Sequence, residues 1–201
     1  MTTIDGTTPY AWPFDGVVDP ARTALVITGT DAATSACTPR DDVSRARIDR
    51  LRHELADIGV AVVLVRHELL AVGGGHAEAE RPGSGIPIEP FDSEVVLTAA
   101  GHDGFYGSPL DAVLRRDGRT HLLVAGVGLE TTVHSTLRRA NDRGYECLVI
   151  ADACLSGEPA LRAAAVSSIE MSGGIFGAVG HSAAVLAAFC EAPARTDPGA
   201  G

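Results

Sequence analysis

Aromatic residues and positive charge are both scarce in this 201-residue chain. Aromatic side chains make up 4% of it, and 16 lysines and arginines stand against 26 aspartates and glutamates, a formal net charge of -10. Such a charge repels phosphate backbones, and few aromatic rings are present for bases to stack on. The composition therefore argues against a nucleic acid as a partner.

Long apolar runs and cysteine pairs are missing as well. No apolar stretch approaches the ~20 residues that a membrane-spanning helix needs, and residues 1–16 lack the basic-then-apolar layout of a signal peptide. The four cysteines form no CxxC pair and no zinc-like spacing. Cys147 and Cys190 lie in apolar patterns, which predicts small buried thiols. We expect a cytoplasmic protein with no membrane partner, no metal and no cofactor.

Hydrophobic residues make up 45% of the chain, enough for one buried core. We interpret residues 1–201 as a single domain with a polar N-terminal arm over 1–19 and a flexible tail over 193–201. Near-continuous apolar runs, typical of parallel strands buried on both faces, occur at residues 23–28, 60–65, 94–98, 121–125 and 146–151. Helical patterns separate most of these runs. The alternation predicts a three-layer α/β/α fold with a Rossmann-like parallel sheet.

Several helix boundaries can be predicted from the residue pattern. Ile48, Leu51, Leu55 and Ile58 form one apolar stripe. Ser108 is expected to cap a helix whose first residue is Pro109. Two further helices are predicted over residues 130–143, ended by Gly144, and over 158–171. Residues 72–85 are glycine-rich and are predicted to form a loop between the second and third strands.

Three segments that follow predicted strands resemble the isochorismatase-like cysteine hydrolases. They are "DPARTALVITGTD" (19–31), "VVLTAAGHDGFYGSPLDAVLR" (95–115) and "LLVAGVGLETTVHSTLRRANDRGYECLVIADAC" (122–154). The arm "PYAWPFDG" (9–16) and the late "GGIFGAV" (173–179) resemble the biuret-hydrolase-like branch of that superfamily. The resemblance implies an isochorismatase-like hydrolase fold and a homo-oligomer, for which residues 175–179 and 182–189 are the candidate interface.

The resemblance also implies where a catalytic triad would lie. Family hydrolases use an aspartate that ends the first strand, a lysine after the third strand and a nucleophilic cysteine at the start of the fourth helix. The matching positions here hold Thr28, Ala99 and Thr132. A threonine hydroxyl needs an adjacent base, and Thr28 is not one. We therefore expect no cysteine amidohydrolase activity by the family mechanism.

Other polar residues near these positions leave a changed chemistry open. The candidate pocket comprises Thr28, His102, Asp103, Phe105, Leu129, Glu130, Thr132 and His134. A histidine and a carboxylate in one cleft can perform acid–base chemistry. The alternatives for this group are an exposed His102–Asp103 turn and a Glu130 that merely favours a helix N-terminus.

Metal and displaced-nucleophile hypotheses have less support. His67 and His76 lie where nicotinamidase-type relatives hold a metal, but without the ligand spacing that those relatives use. Cys154 follows Asp152 closely and is either a displaced nucleophile or a small buried thiol.

Three readings of the function remain, and the last of them is residual hydrolysis through the Thr132 hydroxyl. The first is a non-hydrolytic, pseudoenzyme-like binding protein, or a partner subunit of an active paralogue, with a small-molecule ligand. The alternative is a lyase, isomerase or cyclase that uses the same pocket.

Overall fold

The computed structural model describes residues 2–36, 38–68 and 87–191. Cys37, His76, the glycine-rich stretch 72–85 and the tail 193–201 lie outside them. The strands are β1 (Thr23–Thr28), β2 (Ala61–His67), β3 (Val95–Ala99), β4 (His121–Val127), β5 (Glu146–Leu155) and β6 (Ala178–Gly180). The helices are α1 (Ala32–Ala36), α2 (Asp42–Asp57), α3 (Leu110–Arg116), α4 (His134–Asp142), α5 (Pro159–Glu170) and α6 (Ser182–Glu191). A 3₁₀ turn, Pro20–Arg22, precedes β1, and a π-helical turn, Leu129–Val133, precedes α4.

All six strands are parallel and form one sheet in the order β3-β2-β1-β4-β5-β6. The chain moves one way from β1 to β3 and the other way from β4 to β6. Because crossovers between parallel strands are right-handed, this reversal places helices on both faces of the sheet. Helices α2 and α6 pack together, and α4 and α5 cover β5 and β6. The predicted three-layer parallel fold is confirmed.

Strand β3 departs from the prediction that every strand is buried on both faces. Val95 and Val96 point to opposite faces of the sheet, yet each is 38% exposed. The reason is position: β3 is the edge strand and, among the described residues, pairs only with β2. By contrast, every residue of β1 and β4 is buried. The short strand β6 was not predicted, because three residues are too few for an apolar pattern.

The helix predictions hold with small corrections. Ile48, Leu51 and Leu55 are fully buried, but Ile58 lies past the end of α2 and is 38% exposed. Helix α3 begins at Leu110 with Pro109 at the cap position, one residue later than predicted. Ser108 Oγ still accepts a hydrogen bond from the Leu110 amide at 3.2 Å.

Three other sequence predictions can be compared with the structure. Gly144 ends α4 with a φ of +82°, as expected for a helix C-terminus. Cys147 is buried, but Cys190 is exposed on α6, so that half of the thiol prediction is wrong. Among the described residues, no helix is both long and apolar enough to cross a bilayer.

The N-terminal arm packs onto the amino-terminal ends of the central strands. Trp12 is fully buried and meets the His121 ring edge-on at 5.7 Å between centroids. Thr8 forms an isolated antiparallel bridge with Val179 of β6. The arm therefore covers the end of the sheet opposite the strand ends where ligands of such folds bind.

Candidate functional site

The strand order reverses between β1 and β4, and in open α/β sheets ligands bind at such a point, beyond the carboxyl ends of the strands. The three triad-equivalent positions lie at the carboxyl ends of strands or directly after one. Thr28 ends β1 beside Gly126 of β4, and Ala99 ends β3 beside His67 of β2. Thr132 lies in the π-helical turn after β4.

Thr28 is paired with a residue that sequence reasoning weighed only as a metal ligand. Its hydroxyl lies 2.5 Å from His67 Nε2, and both residues are buried, with 0% and 4% of their surface exposed. The other ring nitrogen, Nδ1, contacts the Gly101 carbonyl oxygen. A carbonyl oxygen only accepts, so Nδ1 carries a proton and donates it. In the neutral ring, Nε2 then accepts the hydrogen bond that the Thr28 hydroxyl donates.

The surroundings of His67 keep its ring neutral. Burial lowers the pKa of His67, and the neighbouring His102 lowers it further, whereas the Gly101 carbonyl, Asp31 and Asp103 act in the opposite direction. The net shift is downward because burial is the largest effect. Asp31 also accepts a hydrogen bond from the His67 amide at 2.9 Å, which fixes the end of β2.

Ala99, at the lysine position, is fully buried. It pairs in register with His67, and cross-strand partners point to the same face of a sheet. The small methyl group therefore lies beside the imidazole and leaves room for it. Thr28 and Ala99 thus take the places where the family resemblance implies an aspartate–lysine pair, and the buried neutral His67 ring lies beside both.

Thr132, at the cysteine position, is fully buried, and its hydroxyl donates to the Val127 carbonyl oxygen. Gly29 lies close to the two oxygen atoms of this hydrogen bond. A side chain at Gly29 would lie 2.4 Å from the Val127 oxygen and 3.1 Å from Thr132 Oγ. We call Thr28, His67, Thr132 and the Val127 carbonyl the closed cluster. Every hydroxyl and ring nitrogen in it has a partner within the protein.

The remaining candidate polar residues are held apart by different partners. Glu130 accepts hydrogen bonds from Ser156 Oγ and the Gly157 amide, both at 2.8 Å, in the loop between β5 and α5. Asp103 is bound at 2.9 Å by Arg139 of α4, and His102 is exposed. The structure therefore does not bring Glu130 into contact with the His102–Asp103 turn.

The last three pocket candidates are mainly packing residues. Phe105 is buried and stacks on Tyr145 at 5.9 Å between ring centroids, and Leu129 is fully buried. His134 is half-buried, at 3.2 Å from Arg138 Nε. Burial and the Arg138 charge lower the pKa of His134. Within the described ranges none of these three lines the cavity described below.

Cys154 has the character of a structural thiol. It is fully buried, its Sγ lies 3.3 Å from the Ile150 carbonyl oxygen, and burial raises its pKa to about 12. A raised pKa keeps the thiol protonated at neutral pH. These properties do not suit a nucleophile. Over the residues that the structure describes, no three His, Cys, Asp or Glu side chains group as metal ligands do.

A cavity of about 210 Å³ lies next to the closed cluster. One wall is the segment from α1 into α2, with Ser35 and Thr38 among its residues, and the other is Ile88 with the strand ends Val127 and Leu155. None of the eight predicted pocket residues lines the described part of this cavity. The cavity does not test the predicted pocket, which stays a prediction.

The sequence analysis did not single out Ser35, and it considered His67 only as a metal ligand. The apolar run of β2 ends at Val65, but pairing with β3 extends the strand to His67. Had the second strand been predicted to continue two residues past Val65, His67 would have been recognised as the residue at its carboxyl end. Ser35 carries no comparable signal, because Ala32–Ala36 is a short run of small residues.

Comparisons with known proteins agree with the fold and the resemblance. Residues 22–181 match the isochorismatase domain. Ureidoacrylate amidohydrolase RutB of Methylorubrum extorquens is 38% identical over 112 residues, 55% of this chain and 44% of that protein. The Klebsiella pneumoniae protein of the same name is 32% identical over the same length and shares. The aligned part thus spans less than half of these relatives.

Solved structures show the same fold at low identity. An isochorismatase family protein from Burkholderia thailandensis superposes with a TM-score of 0.70 at 22% identity, covering 86% of this chain and 97% of that one. A cysteine hydrolase from Pseudomonas syringae pv. phaseolicola gives 0.69 at 19% identity, covering 88% and 96%. Since the domain match spans most of the chain, this protein belongs to the isochorismatase family.

Proposed function

We propose that this chain is a non-hydrolytic member of the family that binds a small molecule, alone or as the partner subunit of an active paralogue. The observation that carries the proposal is the closed cluster. The Thr132 hydroxyl, at the nucleophile position, is bound to the Val127 carbonyl. A hydroxyl needs an adjacent base to attack a carbonyl carbon, and this one faces a backbone oxygen instead.

The Thr28–His67 pair has the form of a nucleophile with its base, because a hydroxyl is bonded to an oriented histidine. Both residues are buried, and neither lines the described cavity. A reacting atom needs a place about 3 Å from the nucleophile and from the groups that stabilise its charge. The pair is therefore better explained as a buried polar contact that replaces a charged one.

Hydrolysis assays on the purified chain test this proposal directly. Ureidoacrylate, biuret and nicotinamide cover the substrate types that the resemblance and the relatives' names suggest, and release of ammonia or carbamate is the readout. We expect no turnover above the uncatalysed rate, with an intact family hydrolase as positive control. Turnover of any of the three overturns the proposal, and its loss in Thr132→Ala would assign the residual activity to Thr132.

The partner-subunit form of the proposal has its own test. Light scattering of the purified chain reports whether it is a homo-oligomer, and co-purification with an intact homologue reports a mixed complex. Met171 and Ile175, which are 82% and 71% exposed, lie in or next to the predicted interface. Met171→Asp and Ile175→Asp are expected to break the assembly, and an unchanged mass would contradict that interface.

The alternative of a changed reaction class has less support. It relies on His102, Asp103 and Glu130. Arg139 binds Asp103, the Gly157 amide binds Glu130, and His102 is exposed. His102→Ala and Glu130→Ala would each abolish any activity that depends on them. If such an activity were found and both variants lost it while remaining folded, this alternative would replace the binding role.

A further inference from the structure

We propose that the cavity beside α1 binds a small uncharged molecule with a hydrogen-bonding head on a short apolar body. The inference rests on the proposed binding role and names the ligand class. The volume, about 210 Å³, is below the roughly 300–1,000 Å³ of sites for drug-sized ligands. It suits a molecule of a few heavy atoms.

Ser35 is the polar residue that we expect to contact the ligand head, once its buried hydroxyl turns towards the cavity about the Cα–Cβ bond. It lines the cavity, is only 1% exposed, and its hydroxyl has no hydrogen-bond partner among the described residues. The backbone around it is occupied, since its amide donates to the Asp31 carbonyl and its carbonyl accepts from Thr38 Oγ. A serine hydroxyl donates one hydrogen bond and accepts two, and a buried one without partners is unfavourable. A ligand head that donates and accepts would satisfy it.

The opposite wall is apolar. Ile88, Val127 and Leu155 line it, and their exposed fractions are 1%, 2% and 7%. Ile88 is held in place by a hydrogen bond from its amide to the Thr30 carbonyl at 3.1 Å. One polar and one aliphatic wall call for a ligand with a polar end and a hydrocarbon body.

The charges around the cavity disfavour an ionic ligand. Among the described residues, two arginines and three aspartates line it, and their charges sum to −1. Arg40 binds Asp42 at 2.7 Å, and Arg45 lies 3.5 Å from Asp49. Asp41 is occupied as the cap of α2, accepting from the Val43 and Ser44 amides and from Ser44 Oγ.

An ionic ligand would have to compete with these contacts. A carboxylate would meet more aspartates than arginines. An ammonium group would compete with arginines and helix amides for carboxylates that are already bound. An uncharged head avoids both costs.

Three molecules of matched shape test the ligand class. Isobutyramide is uncharged, isobutyrate is its anionic counterpart, and isobutylamine is a cation of similar size. Each is titrated into the full chain at pH 7.5 and followed by two-dimensional NMR. Isobutyramide is expected to give saturable shifts at Ser35, Ile88, Val127 and Leu155, with a Kd on the order of millimolar for so small a ligand.

The two ionic molecules are expected to bind at least about tenfold more weakly. Equal or tighter binding of isobutyrate or isobutylamine, or no saturable shift with isobutyramide, overturns the proposal. This comparison uses the unaltered chain, so it does not depend on any variant folding.

A pair of serine variants tests the contact itself. Ser35→Ala is expected to weaken isobutyramide binding about fivefold or more. Ser168→Ala, an exposed serine on α5, is the control and should leave binding unchanged. An unchanged Kd in folded Ser35→Ala would remove Ser35 from the site and overturn the assignment. Turnover in the hydrolysis assays would overturn the proposed function without affecting this result, so the two failures can be told apart.

Discussion

The closed cluster and the cavity share Val127, but they differ in whether their buried hydroxyl groups are hydrogen-bonded. Thr28 and Thr132 have partners within the protein, whereas Ser35 has none among the described residues. A buried hydroxyl stabilises a fold modestly when it is paired and destabilises it when it is not. The hydroxyl groups at the triad-equivalent positions thus have internal partners, and the unpaired hydroxyl lies on the neighbouring helix α1.

The largest effect is expected from Gly29→Ala, which breaks the closed cluster through the backbone. Gly29 has a φ of +72°, and its new methyl group would lie 2.4 Å from the Val127 oxygen. We expect a loss of about 3 kcal/mol or more in the free energy of unfolding, measured by urea denaturation. Gly59→Ala is the control: its φ is +89°, but nothing lies within 4 Å, so about 1 kcal/mol is expected. Equal losses would show that the contact with Val127 does not matter.

Thr28→Val tests the buried hydrogen bond to His67. The change keeps the shape of the side chain but leaves His67 Nε2 without its donor, which should destabilise the protein by about 1–3 kcal/mol. Thr98→Val on the exposed edge strand should stay within about 0.5 kcal/mol. Thermal or urea unfolding of the two variants measures the difference. A neutral Thr28→Val would mean that His67 finds another partner.

The pH dependence of stability tests the neutral state of His67. Its ordinary pKa is 6.5, and burial lowers the pKa in the folded chain. Below pH 6.5 the unfolded chain therefore takes up a proton that the folded chain does not. Stability should fall as the pH drops from 6.5 towards the folded pKa, by at most about 1.4 kcal/mol per pH unit from this group.

His67→Gln is the comparison for that measurement. It lacks the titrating ring, so its unfolding free energy should fall less steeply over the same pH range, whatever its stability at pH 7. Urea denaturation at several pH values gives both slopes. Identical slopes would show that His67 titrates alike in the folded and unfolded chains.

The smallest effect is expected from Ser35→Ala, and its sign is the informative part. Removing an unpaired buried hydroxyl also removes its desolvation cost, so stability should be unchanged or rise by up to about 1 kcal/mol. Thr28→Val removes a hydroxyl of similar burial and should lower stability. If Ser35→Ala proved as destabilising as Thr28→Val, the Ser35 hydroxyl would have to be hydrogen-bonded, and the two regions would not differ as described.

The fold could be predicted to a large extent because its signals are local. Continuous apolar runs indicated five of the six strands, and Gly144 indicated the end of α4. The exposure of β3 could not be predicted, because strand order depends on pairings between distant parts of the chain. For the same reason, nothing in the sequence around Val95 and Val96 distinguishes an edge strand from a central one.

The candidate site depends on contacts between residues that are distant in sequence, so less of its geometry could be predicted. The resemblance indicated which positions to inspect, and the structure places Thr28, Ala99 and Thr132 near the carboxyl edge of the sheet. It did not indicate His67, which lies 39 residues from Thr28 in sequence and meets it only through the pairing of β1 with β2. Glu130 and His102 were grouped because each lies close in sequence to a triad-equivalent position, Thr132 and Ala99 respectively, whereas their side chains have separate surroundings.

The sequence by itself determined two things about this protein. Its apolar runs are sufficient for the strands of a buried parallel sheet, and its triad-equivalent positions hold two hydroxyl groups and a methyl group. Only the tertiary structure decided which polar groups have partners. Hydrogen bonding depends on distances of about 3 Å between atoms that the sequence leaves far apart. The pairing of β1, β2 and β4 closes Thr28 and Thr132 onto internal partners. The fold of the segment after β1 leaves the Ser35 hydroxyl buried beside a cavity, without a partner among the described residues.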